Sequence, residues 1–358
     1  MLGLASFTEW LFQNGAELRN IWPSGTGYYT ALQAASAKGH VTIVRYLLDN
    51  NFALANETSE HSTVGLENPL QAAACHGHLR IVQLLVANGA EIVRPYKKNG
   101  MGPPLFLAAD ARHLDVVQYL LEKGADVNQA AQPGNRTALL AACRKSDVEM
   151  VQILLDWGAD VNLESKNGTA LKCACANSHP EVVSMLLKRG ADVNVEAKPL
   201  ENDALQSACC SRDAKSIVRM LLDKGANVNA KPGVNGTALQ CAISNGHGIP
   251  TADVVKWLLD EGADVNARGA DVPYSLKMHL YGNPFHPYAS AMTTPVQLAV
   301  ETESERLVRL LLEYGADVNA PEGRYGTALQ IARDKGNQGI IELLLQHGAR
   351  DIPTSESK

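Results

Sequence analysis

Five copies of the pentapeptide GADVN, beginning at Gly124, Gly158, Gly190, Gly262 and Gly315, constrain this chain more than any other feature. A variant, GANVN, starts at Gly225, and weaker relatives are GAELR at Gly15, GAEIV at Gly89 and GARDI at Gly348. From Gly124 onward the copies are 34, 32, 35, 37, 53 and 33 residues apart. Such a period overrides the two or three domains that a length of 358 residues would otherwise suggest. One step carries about twenty surplus residues, which hold the segment MHLYGNPFHPYASAM from Met278 to Met292.

A second string falls between these copies. It reads YTALQAASAKGH from Tyr29, NPLQAAACHGH from Asn68, PPLFLAADARH from Pro103, RTALLAAC from Arg136, GTALKCAC from Gly168, NDALQSACC from Asn202, GTALQCAISNGH from Gly236, TTPVQLAV from Thr293 and GTALQIARDKGN from Gly326, nine repeats in all. Thr, or Asp203 in the sixth repeat, stands just before an apolar run, where its side-chain oxygen accepts from the orphan N–H groups of a first helical turn. The helix it opens is short and rich in Ala, Cys and Ser, so neighbouring helices can approach closely. Gly-His or its equivalent ends it. A second helix follows with apolar residues at three-and-four spacing, such as Ile81, Val82, Leu84 and Leu85. The Gly of GADVN then supplies a left-handed turn that stops that helix.

This helix–turn–helix–loop repeat of about 33 residues, with TALQ in most copies where the family signature reads TPLH, resembles the ankyrin repeat. The resemblance implies an all-α fold, an ankyrin-repeat solenoid of stacked helix pairs with about nine full repeats and a partial one at the N-terminus. The expected boundaries are a partial repeat or cap over 1–20, a continuous array over 21–352 with an inserted loop at about 270–292, and a tail over 353–358. The YGTALQAA wording is similar to that of fungal arrays that follow a nucleotide-hydrolysing NACHT domain. On that resemblance one alternative to a free-standing scaffold is the sensor array of such a signalling protein; another is an enzyme or enzyme subunit, including an accessory protein of a biosynthetic pathway, with its function in the insertion of about twenty residues. A reading frame continuing upstream into a nucleotide-binding domain would favour the sensor.

Composition narrows the classes further. With 46% hydrophobic and 20% charged residues, the chain is a folded protein. A net charge of −6 speaks against a general nucleic-acid or acidic-membrane binder. No apolar run approaches the roughly 18 residues of a membrane helix. The N-terminus lacks a basic stretch and carries Glu9 within its apolar segment, so no signal peptide is expected and the cytoplasm is the expected location, with the nucleus left open.

No constellation for catalysis emerges, and no enzyme, cofactor or metal is expected. The seven cysteines include Cys173-x-Cys175 and Cys209-Cys210, but Cys143, Cys175 and Cys209 share one register position and Cys173 and Cys241 another. Equal positions on helices about 8–10 Å apart are too far for a disulfide, which needs Cα atoms within about 7 Å, so small core residues are the expectation. His40, His78 and His247 fall at Gly-His junctions, where the resemblance implies bonding between repeats; His113 and His179 occupy equivalent places. The Asn-x-Thr sequences at Asn56, Asn135, Asn167 and Asn235 coincide mostly with turns.

The expected function is the non-catalytic binding of an unidentified protein by a monomer, through the concave face that stacked repeats present. The positions following each ALQAAS-like run vary: Ala37 and Lys38, Cys75 and His76, Asp110 and Ala111, Arg144 and Lys145, and onward to Asp334 and Lys335. Lys38, His76, Arg112, Arg136, Arg144 and Lys145 are the candidate polar contacts, the last four forming a basic cluster suited to an acidic segment. Tyr28 and Tyr29 are candidate aromatic anchors near the first turn. Tyr281, Phe285 and Tyr288 are the others, in an insertion too aromatic for an ordinary disordered linker.

Overall fold

The computed structural model describes residues 30–51, 53–58, 66, 68–93, 101–132, 134–166, 168–196, 201–233, 235–244, 252–269, 293–320 and 326–350. All the regular elements among them are α-helices, eighteen in nine pairs, as an all-α repeat fold requires. The chain divides into two compact units, Met1–Ala170 and Leu171–Lys358.

The N-terminal unit holds four pairs: α1 (Ala31–Ala37) with α2 (Val41–Asp49), α3 (Pro69–Cys75) with α4 (Leu79–Ala87), α5 (Pro104–Asp110) with α6 (Leu114–Glu122), and α7 (Ala138–Lys145) with α8 (Val148–Asp156). The first helices α1, α3, α5 and α7 pack in succession, and α2, α4 and α6 form a second row. Nearly every residue of a first helix is buried, as in Leu70 to Ala74 of α3. Second helices bury one face only, such as Val116, Val117, Leu120 and Leu121 of α6. Small residues in the inner row and an amphipathic outer row are the sequence pattern made solid.

In the C-terminal unit the pairs are α9 (Ala170–Ala176) with α10 (Pro180–Lys188), α11 (Ala204–Cys209) with α12 (Ala214–Leu222), α13 (Ala238–Ile243) with α14 (Ala252–Asp260), α15 (Pro295–Glu301) with α16 (Glu305–Glu313), and α17 (Ala328–Asp334) with α18 (Gln338–Gln346). Here α13 packs on α15 and α14 on α16, so the seventh and eighth repeats are neighbours although residues 270–292 lie between them. The insertion leaves the stacking register intact.

Side-chain caps explain where first helices begin. Thr30, Thr137, Thr237 and Thr327 each accept from the backbone N–H three residues on, at 3.1–3.3 Å. Asp203 does the same for Gln206 at 2.7 Å. The rule of Thr or Asp fails in two repeats: Asn68 accepts from Gln71 N–H at 2.8 Å, and Pro103 caps α5 with no side-chain bond at all. Asn is at least as good an acceptor as Thr at this place, while α5 relies on Pro104 at its first helical position, whose fixed φ suits a helix start. At the other end, Gly124 (φ +85°) closes α6, with its N–H bonded to Leu121 O at 3.0 Å and Ala125 N–H to Leu120 O at 2.9 Å. Asn51 (φ +55°) fills the corresponding place in the first repeat, where glycine is missing; Asn tolerates this region better than most side chains.

Candidate partner-binding surface

Two sets of side chains join neighbouring repeats. In the first, a Gln in the first turn of the first helix, buried at Gln71, Gln206, Gln240 and Gln297, works at both ends of its amide. Gln240 Oε1 accepts from Thr237 N–H at 2.8 Å, which completes a capping box, while its Nε2 donates to Thr293 O of the following repeat at 2.6 Å. Gln71 reaches Gly102 O at 2.8 Å, Gln206 reaches Lys231 O at 2.7 Å and Gln297 reaches Gly326 O at 3.2 Å.

The second set escaped the sequence reading. The Asn that closes GADVN clamps the following repeat: Asn229 Nδ2 donates to Gly262 O and its Oδ1 accepts from Asp264 N–H, both at 2.8 Å. Asn194 does this to Gly225 and Asn227, Asn319 to Gly348 and Arg350, and Asn56 to Gly89 and Glu91. The period itself was the available signal, since a polar residue repeated at a loop tip needs a repeated partner. Asn56 and Asn135 also show that their Asn-x-Thr sequences serve turns, Asn135 donating to Glu164 O at 2.6 Å.

The Gly-His junction behaves as the resemblance implies at His78, whose Nε2 lies 3.1 Å from Ala37 O. Its ring fills the space beside Gly39, where an added Cβ would come within 2.8 Å of it. A cleft of about 490 Å³ opens here, lined by Gly39, Gly77 and His78 with the exposed Arg80 and Asp115. It has no buried charge.

These connections match a family model described as ankyrin repeats (3 copies), which covers residues 2–96, 59–131, 105–197, 196–269 and 275–354. The chain belongs to the ankyrin-repeat family. Ankyrin repeats are generally protein–protein interaction modules, which directs attention to the exposed ends of the first helices in this ankyrin-repeat chain.

There the candidates divide. Lys38 and Lys145 are exposed, and neither enters an ion pair among the described residues. His76 is exposed, with Nδ1 at 2.9 Å from Ala72 O and its ring stacked on His78 at 6.3 Å. The basic cluster is not a free set of cations. Arg144 is paired with Asp110, and Arg112 Nε with Asp147 Oδ2 at 2.9 Å. Arg136 is half-buried at a loop tip, its guanidinium 4.9 Å from the centre of the Phe106 ring and its Nε buried with no partner among the described residues. Asp110 and Arg144 occupy the same register position one repeat apart, so opposite charge at that spacing was the sign that the sequence offered. Tyr28, Tyr29, Tyr281, Phe285 and Tyr288 lie outside the described residues.

Toward the C-terminus the pattern recurs with other residues. Lys172 Nζ bonds Glu201 at 2.6 Å, and Lys335 lies 3.4 Å from Glu301 and 3.6 Å from Glu303. Asp203, half-buried at the cap of α11, has its carboxyl pushed above the usual carboxylate range by desolvation, which outweighs the opposing pull of the N–H groups of Gln206 and Leu205 and of Lys172. Cysteine is where the expected small-core role needs correction. Cys143, Cys175, Cys209 and Cys241 are buried, but Cys75, Cys173 and Cys210 reach the surface in part. Burial drives the Cys175 and Cys209 thiols far up, and they are inert core groups. Among the described residues no three of His, Cys, Asp and Glu come together as a metal would need, and no helix is long and apolar enough to cross a membrane.

Proposed function

We propose that this chain is a non-catalytic scaffold that binds one protein partner along the face formed by the ends of its first helices. The observation that carries the reading is the abrupt change at those ends. In α1 the residues Leu32 to Ala37 are buried and Lys38 is exposed; in α7 Ala141 to Cys143 are buried and Arg144 and Lys145 are exposed. The fold uses the former and leaves the latter to other purposes. Repeat arrays present such positions on a concave surface. The neutralisation of Arg112 and Arg144 by Asp147 and Asp110 suits a partner of mixed charge better than a strongly acidic one. Seven cysteines outside any disulfide fit a reducing compartment, and the cytoplasm is the proposed location.

The test compares the parent chain with a Lys38→Glu, His76→Glu, Lys145→Glu variant as bait for the same cell extract. Exposed substitutions usually alter stability by within about 0.5 kcal/mol, so thermal melts should coincide. A specific partner should be retained by the parent and its affinity for the variant should fall at least tenfold. Equal affinity for both baits, with matching melts, places the binding surface elsewhere.

A further inference from the structure

Cys210 and Cys241 do not share a register position, and that is why they meet. Cys210 follows directly on α11, while Cys241 sits three register places earlier on α13 of the next repeat. The two helices pack together, and the offset brings the two thiols within hydrogen-bonding reach of each other. The distance argument that excludes a disulfide between equal positions, such as Cys175 and Cys209, does not apply to this pair.

Asn235 is placed against both sulfurs. Its Nδ2 donates to Cys210 Sγ at 3.7 Å, and its backbone oxygen lies 3.7 Å from Cys241 Sγ. Cys210 is half-buried and Cys241 is fully buried. The hydrogen bonds from Cys241 and Asn235 draw the Cys210 thiol down from its ordinary value against the effect of burial, the Cys241 bond being the larger cause. Cys241 is pushed the other way, well up, by its bond to Cys210 and by burial. Cys210 is thus the partly exposed residue of the pair and the one whose thiolate is stabilised; Cys241 is buried and keeps its proton.

We infer that Cys210 and Cys241 form a peroxide-reactive pair that closes to a disulfide between the sixth and seventh repeats. The Cys210 thiolate attacks one oxygen of hydrogen peroxide; the O–O bond breaks, an S–O bond forms, and hydroxide leaves and takes a proton to become water. The Cys241 sulfur then attacks the sulfenic sulfur of Cys210. The S–O bond breaks as the S–S bond forms, and the departing oxygen carries the Cys241 proton away in a second water. Two thiols are oxidised and one peroxide is reduced to two waters. The thiolate form is the attacking species, so the partly exposed sulfur reacts first.

The experiment treats the full chain with hydrogen peroxide at neutral pH, traps remaining thiols with N-ethylmaleimide and maps peptides without reduction. Fragmentation between Cys209 and Cys210 assigns the bonded sulfur. The expected product joins Cys210 to Cys241, two hydrogens lighter than the sum of the thiol peptides, while Cys143, Cys175 and Cys209 stay reduced and take up the reagent once the chain is unfolded in its presence. Cys241→Ala should leave Cys210 as a sulfenic acid that dimedone captures, and Asn235→Ala should slow its formation several-fold. Thermal melts check that each variant remains folded, and the parent chain alone keeps the test decisive if one does not. A link to Cys175 or Cys209, equal oxidation of all seven thiols, or no reaction at Cys210 overturns the inference.

Discussion

The loop tips and the ends of the first helices lie in every repeat, yet they follow opposite rules. At the tips one residue recurs in one role: Asn194, Asn229 and Asn319 clamp a glycine carbonyl and an N–H of the next repeat with closely similar geometry. At the helix ends no two neighbours agree. Asp110 meets Arg144, Cys210 meets Cys241, and Lys335 meets Glu301. Repetition marks a partner that the backbone supplies in every repeat, and variation marks a contact made only once. The first kind of residue serves stacking; the second is where a chain of this type can acquire a particular function.

The comparison breaks most readily at Gln240, a buried member of the repeated class. Its Oε1 satisfies Thr237 N–H and its Nε2 satisfies Thr293 O, both in the interior. Gln240→Ala leaves both groups without a partner, at about 1–3 kcal/mol for each buried unsatisfied group. A loss of about 2–4 kcal/mol in urea unfolding, with faster hydrogen exchange in α13 and α15, is the expected outcome. A loss below about 0.5 kcal/mol, within the ordinary surface range, would show that the repeated amides are dispensable and dissolve the distinction.

Much of the fold was legible because a period converts one local argument into nine. Thr before an apolar run, Gly after the second helix and small residues between them are rules of backbone chemistry, and they placed most helix ends. Asn68 and Pro103 departed from the Thr rule because a helix start needs only an acceptor or a suitable φ. The candidate surface was less legible. Arg144 and Lys145 were readable as exposed, but the pairing of Arg144 with Asp110 depends on side-chain reach across repeats, and that of Cys210 with Cys241 on an offset that registration by equal positions conceals.

Asp203 sharpens the comparison, since it is a singular residue in a repeated place. Its carboxylate caps α11 where most other repeats use the neutral Thr, and it is held partly away from water. Burial raises its pKa in the folded chain, so the native state favours the protonated form: the associated stability is present in full below the unfolded pKa and is lost as pH rises through the folded one. Asp203→Asn keeps the cap acceptor without the charge. The variant should therefore be the more stable at neutral pH, with an advantage that shrinks as the pH falls into the ordinary carboxylate range. Denaturant midpoints of the two chains across that interval check the sign, and an advantage that grew on acidification would contradict the burial argument.

The smallest effect is expected for Asp110 and Arg144, the singular class at its most exposed. Both side chains are at least a third accessible, so water screens the pair and the two side chains lose freedom in making it. A double-mutant cycle of Asp110→Ala and Arg144→Ala should return a coupling of about 0.2–1 kcal/mol. Raising the salt to about 1 M, where the screening length is about 3 Å, should reduce it further. Such a weak bond can be exchanged for contacts to a partner with little loss, which is what a binding surface needs of its resting ion pairs. A coupling above about 2 kcal/mol that persisted in high salt would mean that the pair holds the third and fourth repeats together, and it would move Arg144 from the binding surface to the stacking machinery.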